Sequence, residues 1–191
     1  MNLFIRATSA LLLVSCSIFM VGCATHARDY SPSVDNVMTL KKNNMATSNV
    51  SFITVAASGE GGTSLKLRAN TMVSPIGNNF GDYIANSLRQ ELELAKLFDP
   101  KSGTIIYGEL LRNEVDASSF SAGVGQIEVR FFAKRDGQVR FNKVIRIGHQ
   151  WESSFAAAVA IPNAKKAYPE MVQKLITVLI TDADFVNALK N

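Results

Sequence analysis

The sequence predicts an α+β fold, a two-layer sandwich in which a mostly antiparallel sheet carries two amphipathic helices on one face. One observation is a hairpin: residues 127–133 and 139–145 alternate as strands do, and Asp136-Gly137 between them favours a tight turn. The second is a pair of segments with helical periodicity, one beginning at Phe80 and one after Asn163. Their apolar faces have to be buried, and one face of the sheet is the simplest place.

Length and composition fit one domain with an N-terminal appendage. The chain has 191 residues, of which 47% are hydrophobic and 19% are charged, so it is long enough to bury a core. Its formal net charge is only +4. Nucleic-acid binding needs a concentrated basic face, so this charge argues against a nucleic-acid partner.

Residues 1–22 have the pattern of a signal peptide. A short positive region ends at Arg6, and the apolar run Ala10–Val21 is about a dozen residues long, which is typical of a secretory signal and too short to span a bilayer. The run ends on Gly22-Cys23 rather than on an Ala-x-Ala cleavage pattern. This ending resembles the bacterial lipobox.

The lipobox resemblance implies that the precursor is cleaved before Cys23 and that this cysteine is acylated, with palmitate among its chains. The alternative is a free thiol or half of a disulfide. The only other cysteine, Cys16, lies within the segment predicted to be removed, so a disulfide in the mature protein has no second partner. Ala24 stands where a retention signal for the inner membrane would have Asp, which implies the outer membrane with the domain facing the periplasm.

Residues 23–49 are rich in Ser, Thr, Asn and charge and contain few large apolar side chains. We therefore expect a lipidated N-terminus followed by a flexible tether with a reach of about 25–30 Å. Residues 50–191 then form a single globular α+β domain.

The domain begins with two predicted strands and a helix. The first strand is 50–56, followed by a loop over 58–64 and a strand over 64–70. Asn78 or Asn79 is expected to cap the helix. The residues expected to face inward on the second strand are Leu65, Leu67 and Ala69, and those on the helix are Phe80, Ile84, Leu88, Leu92 and Ala95.

A long strand over 103–119 is expected next, followed by the two strands of the hairpin. The residues predicted to face inward on the hairpin are Ile127, Val129, Phe131, Ala133, Val139, Phe141 and Ile145. In the last helical segment, Pro169 removes a backbone donor, so we expect the helix to begin near Tyr168 or to kink. A short final helix follows, with Phe185, Val186 and Leu189 facing inward.

The element order and several short blocks resemble the small proteobacterial outer-membrane lipoproteins of the YajG kind. The blocks are "YIANSLRQELELAKLFD" (83–99), "GELLRNEVDA" (108–117), "VRFFAKRDGQVRFNKVIRI" (129–147) and "WESSFAAAVAIPNA" (151–164). The domain of that group is similar to the N-terminal domain of TolB and to the penicillin-binding-protein activator LpoB. The resemblance covers about residues 50–189 and implies a non-enzymatic module that binds or assists another envelope protein.

The chemistry of the chain does not favour catalysis. Its two histidines, His26 and His149, lie in the predicted tether and at the end of a strand, and no Gly-x-Ser-x-Gly nucleophile motif occurs. His149 with Glu152 is too small a set for zinc. We therefore expect no catalytic residues, no metal and no cofactor, with a cell-wall hydrolase-type enzyme kept as an alternative.

The segment 149–164 is the candidate partner contact. Trp151 and Phe155 are large aromatic side chains among small residues, which suits an interface pocket. An apolar connection of this kind also forms a lid on its own core. A third reading makes the domain a carrier of a small apolar ligand, which would require an apolar cavity of at least about 300 Å³ between sheet and helices.

Overall fold

A computed structural model describes residues 24–77 and 79–190. The predicted signal peptide, Cys16, Cys23 and Asn78 lie outside the described residues. Within them the strands are β1 (Ala24–His26), β2 (Asn49–Glu60), β3 (Ser64–Leu67), β4 (Asn70–Val73), β5 (Thr104–Asp116), β6 (Ala122–Arg135) and β7 (Gln138–Glu152), and the helices are α1 (Val34–Lys42), α2 (Phe80–Ala95), α3 (Ala157–Thr181) and α4 (Ala183–Leu189).

The main sheet has four strands in the order β2-β5-β6-β7, and helices pack on one of its faces. The pairs β5–β6 and β6–β7 are antiparallel, whereas β2 runs parallel to β5. Helix α2 lies against β2, and α3 lies against β6 and β7. The predicted α+β two-layer arrangement is confirmed. None of the helices in the described part of the chain is both long and apolar enough to span a bilayer.

A second, small sheet has the order β1-β4-β3 and was not predicted. Here β3 and β4 form an antiparallel hairpin, and β1 pairs in parallel with β4. The strand predicted over 64–70 is therefore two strands with a turn at Arg68 and Ala69. Leu65 and Leu67 are buried as expected, but Ala69 is exposed because the turn ends the alternation.

The prediction of a flexible tether over 23–49 is wrong for residues 24–49. Strand β1 joins the small sheet, and α1 packs against α2 and α3. Tyr30, Leu40 and Met45 are buried in the core. Few apolar residues occur in this segment, but these three reach the core. Their burial, with the pairing of β1 and the packing of α1, contributes to opposing the entropy lost on ordering the segment.

Helix α2 agrees closely with its prediction. Asn79 is its N-cap, and its side chain accepts a hydrogen bond from the backbone N–H of Asp82 at 2.8 Å. All five residues predicted to face inward are at most 6% exposed. They form the central contact between the helix layer and the sheet.

The hairpin between β6 and β7 turns at Asp136 and Gly137, whose φ angles of 50° and 80° are positive as this tight turn requires. Six of the seven predicted inward residues are buried. The exception is Val139, which is 52% exposed. A register shift between Ala133 and Lys134 inserts one extra residue on β7, and this bulge turns Val139 to the outer face.

The expectation that the long C-terminal helix begins near Tyr168 is wrong, because α3 begins at Ala157 and contains both Pro162 and Pro169. A proline within a helix leaves the carbonyl four residues earlier without its usual donor. For Pro169 that carbonyl belongs to Lys165, and it accepts a hydrogen bond from the backbone N–H of Arg28 at 3.5 Å. The N-terminal segment thus supplies a donor that the helix lacks.

Candidate functional site

Trp151 and Phe155, predicted together as a partner contact, lie in different environments. Trp151 is the second-last residue of β7, pairs with Gly123 on the helix-covered face, and is partly buried against the core. A Cβ atom added at Gly123 would lie 2.3 Å from the indole ring, so the ring lies directly on that glycine. The position of Trp151 is that of a lid on the core.

Phe155 is 75% exposed and is next to a second exposed aromatic side chain, Phe120, which is 70% exposed. Their ring centroids are 5.3 Å apart. The four residues that follow Phe155, from Ala156 to Val159, are also exposed. We call Phe120 together with residues 155–159 the aromatic corner.

Arg68 holds the two loops of the aromatic corner in place. Its guanidinium donates hydrogen bonds to the carbonyl oxygens of Ala117 at 2.7 Å, Ser119 at 3.4 Å and Phe155 at 2.6 Å, and to that of Ser154. Four carbonyl contacts from one planar group order both loops. The sequence carried no signal for this role, because Arg68 alternates with apolar residues as any solvent-facing strand residue does.

The aromatic corner lies at the same end of the domain as Ala24, the first described residue. Ala24 pairs with Thr71, which follows the turn containing Arg68. Lys165 of α3 donates from Nζ to the hydroxyl of Thr25 at 2.8 Å. Helix α3 therefore begins in the aromatic corner and then runs beside β1.

A second cluster surrounds the fully buried carboxyl group of Glu91. Its Oε1 accepts hydrogen bonds from the hydroxyl of Tyr30, the backbone N–H of Ser33 at 2.9 Å and the side-chain amide of Asn36 at 3.3 Å. Burial, and after it the hydrogen bond to Glu91, raises the pKa of Tyr30 well above its ordinary value, so its hydroxyl stays a donor. All three donors come from the N-terminal segment, so Glu91 attaches that segment to α2.

The histidines are not brought together. His149 lies with Nε2 at 3.5 Å from Oε2 of Glu170, and its ring stacks on Trp151. His26 lines a surface cleft of about 620 Å³ beside β1, with Arg28, Asp29 and Lys165 in the same lining. No group of three or more potential metal ligands occurs in residues 24–77 and 79–190. The cleft is large enough for a small ligand, but Ala27, Pro75, Ile161 and Pro162 share its lining with charged groups, and it lies at the surface beside β1 rather than between the main sheet and its helices.

Comparison with solved structures agrees with the fold. The chain is similar to a Xanthomonas campestris protein described by the DUF330 family model, with a TM-score of 0.54 and 12% identity over 83% of this chain and 95% of that one. A Caulobacter crescentus CB15 protein provisionally called a lipoprotein aligns with a TM-score of 0.46 and 10% identity over 81% of this chain and 94% of that one. No family model and no curated protein matches the sequence. At these identities the comparisons extend to the fold of the domain only.

Proposed function

We propose that the chain is the precursor of a non-enzymatic, membrane-anchored envelope lipoprotein that serves as a binding or accessory module for another envelope protein. The observation that carries the proposal is the position of Cys23. It ends a signal-like apolar run and directly precedes Ala24, the first residue of β1. Cleavage before Cys23 would therefore release a domain with all its described elements intact.

The location we propose is the outer membrane, with acyl chains on Cys23 and the domain on the periplasmic side. The support is Ala24, which is not the aspartate associated with retention in the inner membrane. Several acyl chains together make attachment effectively permanent, since each buried methylene contributes about 0.8 kcal/mol.

A binding role is supported by the chemistry of the described surface. The contacts of His149 are with a carboxylate and an aromatic ring, and none joins it to a serine hydroxyl that a hydrolase would use as nucleophile. Glu91 is fully buried, and its Oε1 accepts hydrogen bonds from three structural donors. These arrangements support a module that acts by contact rather than by bond cleavage.

The test of the anchor is Cys23→Ala. We expect this precursor to remain uncleaved and to take up no radioactive palmitate, whereas the unmodified chain is processed and labelled. Cys16→Ala is the matched control, because it removes the other cysteine and should leave processing and labelling unchanged. Normal palmitate labelling of Cys23→Ala would contradict the lipoprotein proposal.

The test of the partner is affinity purification of the acylated protein from detergent-solubilised envelopes. We expect one envelope protein to be recovered in a defined ratio to the lipoprotein, and to be recovered again when it is tagged in its turn. Turnover of a cell-wall substrate by the purified protein would instead favour the hydrolase alternative.

A further inference from the structure

The short distance between the proposed lipid anchor and the folded domain limits how the domain can lie on a membrane. Ala24 is already in β1, paired with Thr71 of β4. With Cys23 acylated, as proposed above, one Cα–Cα step of about 3.8 Å separates the lipid-bearing residue from hydrogen-bonded structure. Because no linker separates Cys23 from β1, the surface of the domain around Ala24 lies against the lipid head groups.

The surface around Ala24 includes the aromatic corner. Thr71 is three residues beyond Arg68, and the guanidinium of Arg68 holds the carbonyl of Phe155 at 2.6 Å. The strand spacing, the three residues from Arg68 to Thr71, the arginine side chain and its hydrogen bond together keep Ala24 within about 25 Å of Phe155. The aromatic corner is therefore within reach of a bilayer that meets the domain at Ala24.

The composition of the aromatic corner suits a lipid interface. Residues 155–159 are five consecutive exposed apolar residues, and Phe120 packs beside them. Neither loop of the corner, 117–121 or 153–159, contains a charged residue. A surface that faces only water seldom exposes such a run, whereas phenylalanine and aliphatic side chains enter the boundary between head groups and acyl chains readily.

The charged residues near the corner are of both signs. Lys66 and Lys166 are exposed, and so are Asp116 and Glu152 at the ends of β5 and β7. Arg68, whose guanidinium holds both loops, adds one positive charge to this balanced set, so attraction to anionic head groups is weak. The burial of apolar side chains is what would hold this surface in the interface.

We propose that the aromatic corner is a membrane-insertion site. Phe120, Phe155 and Val159 enter the interface of a phospholipid bilayer beside the acylated Cys23 and fix the orientation of the domain. The inference rests on the proposed lipoprotein function. Because β7 has 15 residues and spans about 45–50 Å, the hairpin at its other end is then held away from the membrane, where an envelope partner can reach it.

The experiment uses the acylated mature protein, which lacks residues 1–22 and therefore Cys16, reconstituted in liposomes of phosphatidylethanolamine and phosphatidylglycerol. Acylation blocks Cys23, so a cysteine introduced by Ala157→Cys carries the only free thiol and takes a fluorescent label. We expect lipids with a nitroxide on the acyl chain to quench this label at least about twice as strongly as one on Gln138→Cys in the far hairpin. Equal quenching at the two sites would overturn the proposal.

A double variant, Phe120→Ser with Phe155→Ser, removes the inserting side chains. Both residues are exposed, so we expect a normal melting temperature, normal acylation and flotation with liposomes, but loss of at least about half of the quenching at position 157. Val139→Ser is the matched control, because Val139 is 52% exposed at the other end of β7. Quenching unchanged in the double variant would overturn the proposal.

The outcomes separate the anchor from the inserting surface. Failure of the protein to float with liposomes would contradict the proposed lipoprotein. Flotation without quenching at position 157 would overturn only the insertion site. If a label at 157 is unquenched in liposomes but cross-links to a protein in native envelope vesicles, the corner is a protein-docking surface and the proposal is wrong.

Discussion

Single buried polar groups determine how the N-terminal segment is attached. Glu91 is on α2, yet the groups that it bonds, Tyr30, Ser33 and Asn36, all precede the main sheet in the chain. Donors of this kind lower the cost of burying the carboxyl group. The Tyr30 hydroxyl and the Ser33 N–H depend on Glu91 in turn, whereas the Asn36 amide also donates to the carbonyl of Gln173 at 3.2 Å. The interaction is therefore a point at which one substitution affects a whole segment.

Glu91→Ala should destabilise the domain. The variant leaves buried donors from the N-terminal segment unpaired, at about 1–3 kcal/mol for each, so we expect a loss of about 3 kcal/mol or more. Urea unfolding measures this loss, and limited proteolysis should cut first within residues 31–43. Glu93→Ala, an exposed change on the same helix, is the control and should alter stability by less than about 0.5 kcal/mol. Equal stability of the two variants would mean that the carboxyl group does not hold the segment.

Trp151→Ala should lower stability because the indole covers Gly123 and contacts the core. Complete burial of a tryptophan would predict a loss of about 3–5 kcal/mol, so for this partly buried one we expect about 2–3 kcal/mol. Phe155→Ala is the matched comparison, because that ring is exposed, and it should unfold within about 0.5 kcal/mol of the unmodified protein. Thermal unfolding compares the stability of the two variants. An unchanged melting temperature for Trp151→Ala would contradict the role of Trp151 as a lid on the core.

Among the elements, α2 has the simplest relation between sequence and structure. Its cap and its apolar face follow the local pattern, and Lys96 ends the helix in the left-handed conformation with φ of 62°. Helix α3 does not, because two prolines within it conceal its first turns from a periodicity argument. The two helices differ because the Lys165 carbonyl, which lacks its usual donor owing to Pro169, accepts a hydrogen bond from the distant Arg28 N–H.

Leu88→Asp should unfold the domain, because it places an unpaired charge on the face of α2 that contacts the sheet. Leu88 is 1% exposed, and an uncompensated buried charge costs several kcal/mol against a total stability of about 5–15 kcal/mol. Leu94→Asp, on the same helix at a position that is 56% exposed, is the control and should remain folded. Circular dichroism during thermal unfolding compares the two, and a folded Leu88→Asp protein would show that the helix packs by another face.

At the scale of the whole molecule, the N-terminal segment and the domain form one packed body. Segment 24–49 contributes a strand to the small sheet, a helix against α2 and α3, and side chains to the same core that the main sheet covers. A lipid anchor at Cys23 would therefore act on the domain directly, without an intervening tether.

Leu40→Asp should destabilise the entire domain. Leu40 is fully buried, so the new charge would be unpaired in the shared core, and we expect a loss of several kcal/mol in a single cooperative transition. Met38→Asp, two residues away and 51% exposed, is the control and should melt normally. Calorimetry follows both, and an unchanged main transition in Leu40→Asp would mean that the segment folds independently of the sheet.

The sequence by itself determined the features that depend on near neighbours. The fold class, the hairpin at Asp136-Gly137 and the buried face of α2 follow from periodicity and turn chemistry, which act within a few residues. Val139 does not follow from local periodicity. One extra residue in β7 reverses the alternation of inward and outward side chains, and this bulge depends on the pairing of β7 with β6.

Only the tertiary structure decided the candidate site and the state of the N-terminal segment. Glu91 bonds to Tyr30 across 61 residues of chain, and Arg68 reaches the carbonyl of Phe155 across 87 residues. No local sequence pattern indicates such partners. The composition of segment 24–49 therefore predicted a flexible tether, whereas its few apolar side chains pack in the core. The same long-range contacts bring Ala24 and the aromatic corner to one end of the molecule, because the three-stranded sheet joins the start of the chain to a turn whose arginine holds both loops.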